Sequence, residues 1–252
     1  MKIITIVNNK GGVGKTTSSQ NIAAGLAKFA NARVLVIDLD TQASLTKCFG
    51  IDHESLKNNS GTFILNEVPF FEIFIKCGNV DLLPATVNLS VKEDTLKAAP
   101  VFPFNLKLAL ERIKDQYDYA IIDCPPALSG MTRIALVACD AYFVPLQAEF
   151  LSYEGLRNFL QYASEIKMIS PNTQLGGVFA TRYNPKIRKK ISHALIDAAK
   201  SQLGDIFMKT FIRDNISLSE AQASGIDIFE YAPESNGAKD YYNLTKEIIE
   251  RL

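Results

Sequence analysis

The chain has 252 residues, of which 47% are hydrophobic, and its 27 Lys+Arg balance 27 Asp+Glu to a formal net charge of zero. That length suits one large α/β domain or two small ones with a sizeable core, and neutrality excludes nucleic-acid binding through a whole-molecule field, leaving only a local patch for that purpose. The four cysteines (Cys48, Cys77, Cys124 and Cys139) have no C-x-x-C spacing, with nearest partners 15 residues apart, which argues against zinc and a disulfide framework and fits a reducing cytosol.

The opening "MKIITIVNNK" has too short an apolar run for a signal peptide. No run approaches the ~18 residues of a membrane span, so a soluble, cytoplasmic protein is expected. Strands are predicted at 2–7, 33–38, 80–85, 119–124, 141–146, 175–181 and 205–212. Most are near-continuous in Val, Ile, Leu and Phe, as in parallel strands covered on both faces. Helical patterns lie between them at 14–29, 104–115, 131–138, 151–168, 186–203 and 235–251. Strand alternating with helix predicts a doubly wound, mostly parallel α/β sheet with helices on both faces. Residues 52–79 fit a short helix or hairpin on the rim. Without repeats or a Pro/Gly/Ser-rich linker, the expectation is one domain over 1–252. Only seven residues precede Asn8, so an N-terminal helix-turn-helix domain is not expected.

The first strand runs into "NNKGGVGKTT" (8–17) and a helix follows. This is the context of a phosphate-binding loop. Gly11, Gly12 and Gly14 permit backbone conformations that let N–H groups converge on phosphates. The helix N-terminus adds donors and a positive dipole end. Lys15 would reach the β- and γ-phosphates, and the Thr16 hydroxyl would coordinate Mg²⁺. Lys10 is a second cation on the same loop.

"VLVIDLDTQAS" places Asp38 and Asp40 at the C-terminal end of the second strand, the edge where open α/β sheets bind ligands. Period-2 alternation puts both carboxylates on one side, which is costly unless a cation or Mg²⁺-bound water shares them. Alternatively Asp40 caps a helix beginning in "DTQAS". "YAIIDCPP" ends another apolar strand in Asp123, which reads as a Walker B aspartate holding Mg²⁺ through water. Cys124 reads as a small buried hydrophobe.

"KGGVGKTT" resembles the deviant Walker A motif of the ParA/MinD family of ATPases, "DLDTQ" its D-x-D-P-Q switch, and "IIDCPP" the ParA form of Walker B. The resemblance runs from residue 2 to about 250. It implies a P-loop fold and the cofactors ATP and Mg²⁺, with residues 10–17 (Lys10, Gly11, Gly12, Val13, Gly14, Lys15, Thr16, Thr17) around the phosphates. It implies catalytic roles for Lys10, Lys15 and Asp40. Lys10 acts across a nucleotide-sandwich homodimer on the partner's ATP, and Asp40 orients or activates the attacking water. Thr16, Asp38 and Asp123 form the metal set. Thr41 stands where the family usually has proline. "FATRYN" and "FIRDNISLSEAQASG" resemble segments that flank the base, which assigns Thr181, Arg182, Arg213, Asp214 and Asn215 to the nucleotide. Arg213 replaces the usual proline and either stacks on adenine or faces solvent.

"TRYNPKIRKKISHAL" carries Arg182, Lys186, Arg188, Lys189 and Lys190 with no acidic residue among them. The cluster suits nonspecific contacts to DNA phosphates or is a solvated face. On a helix, Lys186, Lys189 and Lys190 share one side. The resemblance implies an ATP-state dimer on nonspecific double-stranded DNA (nucleoid-associated) that drives plasmid or chromosome segregation with a ParB-like centromere-binding partner. Two alternatives are a MinD-like membrane-positioning ATPase and a relative that positions a non-DNA cargo. A membrane anchor would need a free amphipathic tail. Tyr241, Leu244, Ile248 and Leu252 instead read as a stripe packed on the domain, so no membrane partner is expected.

Overall fold

The structure, a computed structural model, describes residues 1–186 and 190–252, with the side chains of 150–154 also outside the description. Among the described residues, eight strands form one sheet in the order β3-β4-β2-β5-β1-β6-β7-β8. The five central ones are β1 (Lys2–Ile6), β2 (Val34–Asp38), β5 (Tyr119–Asp123), β6 (Ala141–Gln147) and β7 (Gln174–Thr181). β4 (Val80–Leu83) and β8 (Phe207–Ile212) flank them in parallel, and β3 (Ile75–Cys77) pairs antiparallel with β4. The rim segment therefore includes a hairpin, closed at Gly78 with φ of 59°.

Alternate residues of each strand feed opposite cores, as the period of two requires. Leu35, Ile37, Ala120, Ile122, Val144 and Val178 pack under α4 (Leu89–Ala98), α5 (Asn105–Glu111), α6 (Gly130–Ala138), α7 (Phe150–Ile169) and α8 (Lys190–Leu203). Ile4, Ile6, Val36, Ile121, Phe143 and Phe179 pack under α1 (Lys15–Phe29), α9 (Ile216–Ala223), α10 (Ile228–Tyr231) and α11 (Asn236–Arg251). Tyr241, Leu244 and Ile248 of α11 are fully buried, so the C-terminal stripe is a packing face.

All seven predicted strands are present, and the boundaries of several elements differ. β8 starts at Phe207, after a 3-10 turn over Gly204–Ile206. α5 ends at Glu111. Among the described residues α8 begins at Lys190, and Lys186 sits in a turn with its N–H on Asn184 Oδ1 at 3.0 Å. Lys186 is therefore not in the described helix, and Lys189, the third residue of the expected shared face, lies outside the described residues. The rim segment also holds a short helix, α3 (Ser60–Ile64), and α2 (Ser44–Cys48) follows the second strand, whereas α4, α9 and α10 were not expected. They carry few core residues each. α4 buries only Leu89 and Leu96, too sparse a stripe for periodicity to register.

Candidate functional site

β1 has β5 on one side and β6 on the other, so the sheet's winding reverses there. A crevice opens at such a switch point beyond the carboxyl ends of the strands. The loop after β1 lies in it. Gly12 and Gly14 have φ of 74° and 90°, conformations that glycine adopts without steric cost. Gly14 starts α1 with its carbonyl accepting from Ser18 N–H at 2.9 Å. A Cβ on Gly11 would lie 4.0 Å from Pro126 Cβ, so the double proline after β5 lies against the loop. Val13 is buried, and its carbonyl accepts from Thr181 Oγ1 at 2.9 Å.

The two lysines diverge. Lys15 is buried, and its Nζ donates to the Lys10 carbonyl at 2.9 Å. Burial lowers its pKa, while Asp123, Cys124 and Asp40 pull it back up. Lys10 Nζ turns to Glu149 Oε2 at 2.7 Å, at the start of α7. The side chains of that pair are 28% and 53% exposed.

Thr16 Oγ1 donates to Asp123 Oδ2 at 2.8 Å, and Ser19 Oγ donates to Asp123 Oδ1 at 2.9 Å. Asp38 stands in register with Asp123 on the adjacent strand. Burial, then the Asp38 charge, pushes Asp123 up to about 7 despite the donors from Thr16 and Ser19. Burial likewise pushes Asp38 up to about 6. Two buried carboxylates side by side beside a hydroxyl form an all-oxygen set with surplus negative charge, suited to a hard divalent cation such as Mg²⁺. Among the described residues no group of three or more His, Cys, Asp or Glu could hold a metal, so such an ion would draw its other ligands from phosphate and water.

Asp38 Oδ1 accepts from Asp40 N–H at 3.0 Å, and Oδ2 accepts from both Thr46 N–H and Thr46 Oγ1 at 2.8 Å. Asp40 does not cap a helix. Its Oδ1 takes Gln42 N–H at 2.9 Å, and α2 begins after Ala43, which has φ of 52° and no side-chain cap.

Gly14, Thr17, Thr181, Arg182, Arg213, Asp214 and Asn215, expected from separate segments, line one cavity with Val13, Leu218, Ser219, Gln222 and Tyr241. Asn215 caps α9 through Ser217 N–H. The Arg213 side chain lines this cavity and is 30% exposed. Its guanidinium grips Asp240 through Nε and Nη2 at 2.6–3.1 Å, and its N–H donates to the same carboxylate. Arg182, Lys186 and Lys190 are exposed; Arg188 and Lys189 lie outside the described residues. Cys124 is buried in the core, its thiol raised by burial.

Sequence reasoning missed Ser19, Thr46, Glu149, Gln222 and Tyr241. Ser19 had a usable signal, since it stands three residues after Thr16 on one helix face. The others reach the site from distant segments.

A phosphate-type loop at the switch point of a parallel sheet, with a buried strand-end aspartate beside its helix, defines a P-loop nucleotide-binding protein of the doubly wound class. The comparisons narrow it further. A family model described as an AAA domain matches residues 1–176. The chain is 36% identical over 250 residues to the sporulation initiation inhibitor protein Soj of Bacillus subtilis, covering 98% of each. It is 32% identical over 256 residues to the chromosome partitioning protein ParA of Caulobacter vibrioides, covering 100% of this chain and 95% of that one. A structure of cobyrinic acid a,c-diamide synthase from Mycobacterium smegmatis, with bound ATP analog and magnesium, matches with a TM-score of 0.87. It is 28% identical and covers 99% of this chain and 94% of that one. The chain belongs to the ParA/Soj family of partitioning ATPases.

Proposed function

We propose that the chain is a Mg²⁺-dependent ATPase that dimerises around ATP and binds nonspecific DNA in that state. With a ParB-like partner it drives plasmid or chromosome segregation. The divergence of the two lysines carries this reading. Lys15 lies buried in the loop and serves the phosphates of its own subunit. Lys10 points outward from the same loop, and across a dimer it serves the partner's. Its partly exposed pair with Glu149 is worth only ~0–1 kcal/mol.

Thr16 and Asp123 hold Mg²⁺, with the Asp38 charge beside them, and the metal when bound neutralises phosphoryl charge. Asp40 orients the attacking water. The cavity beyond Gly14 takes the base, with Arg213 shaping its wall from a position held by Asp240. Fold likeness to a diamide synthase does not bring that chemistry with it, and the two partitioning relatives match over nearly the whole chain.

The test is binding of the purified protein to random-sequence duplex DNA with ATP, with ADP and without nucleotide, over a salt series. Binding confined to ATP and falling steeply with salt is expected. Absence of ATP-driven binding at low salt would remove DNA from the proposal.

A further inference from the structure

Thr46 is fully buried on α2 and belongs to no motif quoted for the site. Its N–H and hydroxyl both donate to Asp38 Oδ2, and the same hydroxyl oxygen accepts from Ala85 N–H at 2.9 Å, just past β4. Asp38 is held from its other end as well, because its carbonyl accepts from Ser60 Oγ at 2.7 Å. Ser60 N–H in turn is fixed to the Pro84 carbonyl at 2.7 Å. With those anchors in place, Asp38 Oδ1 is free for one task on its own loop, and it takes the N–H of Asp40.

Asp40 then turns back on itself. Its Oδ1 receives Gln42 N–H, and its carbonyl receives Ala43 N–H at 2.8 Å. Its Oδ2 makes no hydrogen bond among the described residues. The loop therefore leaves one carboxylate oxygen of Asp40 for the site, and the bond that ties this turn to the end of the second strand is the one from Asp40 N–H to Asp38. Thr41 gives this turn none of the rigidity of a proline, so the side-chain bonds must supply it.

We propose that Thr46, acting through Asp38, is a positioning residue for Asp40. It links the second and fourth strands to the loop that aims the reacting carboxylate. A side chain held through two successive hydrogen-bonded neighbours is sensitive to small displacements, and ~1 Å of misplacement costs rates by factors on the order of 10². This rests on the proposed ATPase reading, in which Asp40 acts on water.

The experiment compares the parent chain with Thr46→Val, Thr46→Ser and Ser60→Ala. It measures Mg²⁺-dependent ATP turnover at saturation, the affinity for a fluorescent ADP analogue, and thermal unfolding. Thr46→Val should lower turnover about tenfold or more with nucleotide affinity changed by less than about threefold. Thr46→Ser, which keeps the hydroxyl, should restore turnover to within about threefold of the parent. Ser60→Ala loses one bond without adding bulk. It should lower turnover by a smaller factor, again without moving affinity, and it carries the test if Thr46→Val does not fold. Parental turnover in Thr46→Val or, if that variant is unfolded, in Ser60→Ala overturns the proposal. So does a loss of nucleotide affinity in step with turnover, or a failure of Thr46→Ser to rescue. A parent chain without Mg²⁺-dependent turnover would sink the ATPase reading itself, a separate outcome.

Discussion

Two lysines five positions apart on one loop differ in burial, Lys15 being buried and Lys10 partly exposed, and that difference is a chemical one. Desolvation weakens the charged form of Lys15 and leaves it dependent on anions nearby, whereas Lys10 keeps partial contact with water and a carboxylate partner. Lys10→Ala should therefore keep nucleotide binding and lose partner-stimulated turnover by a factor on the order of 10² or more. Equilibrium binding of a fluorescent ADP analogue beside stimulated ATPase rates would check it, and intact stimulated turnover would refute the trans role. Asp40→Ala should bind ATP without hydrolysing it and so stay dimeric and DNA-bound. Size-exclusion chromatography with ATP reads this directly.

At the scale of elements, α1 and α11 meet at a point where glycine is required. A Cβ on Gly25 would stand 2.5 Å from Thr245 Oγ1. Helix propensity alone favours Gly25→Ala by ~0.5–1 kcal/mol, but the clash wins, because overpacking costs ~1–3 kcal/mol. Chemical denaturation should show Gly25→Ala less stable than the parent, with Thr245→Ala partly restoring it.

The edge strand β8 has a different guard. Glu247 of α11 accepts from Lys209 N–H at 2.9 Å and Thr210 N–H at 2.8 Å and pairs with Arg251 at 3.0 Å. This blunts an open edge that would otherwise invite pairing. Burial raises the Glu247 pKa, but the hydrogen bonds from Thr210, Lys209 and Arg251 outweigh it and leave the net value below the ordinary 4.5. A depressed folded pKa gives stability that is present above the unfolded value and lost as pH falls through the folded one. Glu247→Gln should thus be less stable than the parent at neutral pH, and the gap should close below pH 4.5. Thermal melts across pH would show it; a gap that persists in acid would refute the assignment.

For the whole molecule, zero net charge means that any hold on DNA comes from arrangement. Arg182, Lys186 and Lys190 are exposed around the start of α8. That helix is tied to the loop before Glu149 by Ser192 Oγ to the Ala148 carbonyl at 3.3 Å, and to Tyr183 by His193 at 3.0 Å. Ser192 thus brings the start of α8 against the segment that carries Glu149, and in the proposed dimer two such patches would bind with avidity. Lys186→Glu with Lys190→Glu should weaken ATP-state DNA binding and reduce the salt slope by about 2, measured by fluorescence anisotropy on a random duplex. An unchanged slope would make these residues a solvated face.

What was legible in the sequence was local. Apolar runs marked the seven strands, because burial on both faces leaves a continuous signature. The glycine loop, Asp123, Asp38 and Asp40 stood out because turn chemistry and strand ends are written within about ten residues of chain. The stripe of Tyr241, Leu244 and Ile248 fixed the inner face of α11 for the same reason. Tertiary structure decided the pairings. Ser19 finds Asp123 across 104 residues, Lys10 finds Glu149 across 139, and Ala85 finds Thr46 across 39. Arg213 finds Asp240, 27 residues on, a partner that neither expected orientation named. Such contacts depend on which strands the sheet order sets side by side. That order is settled by packing of the whole core, which no local pattern records.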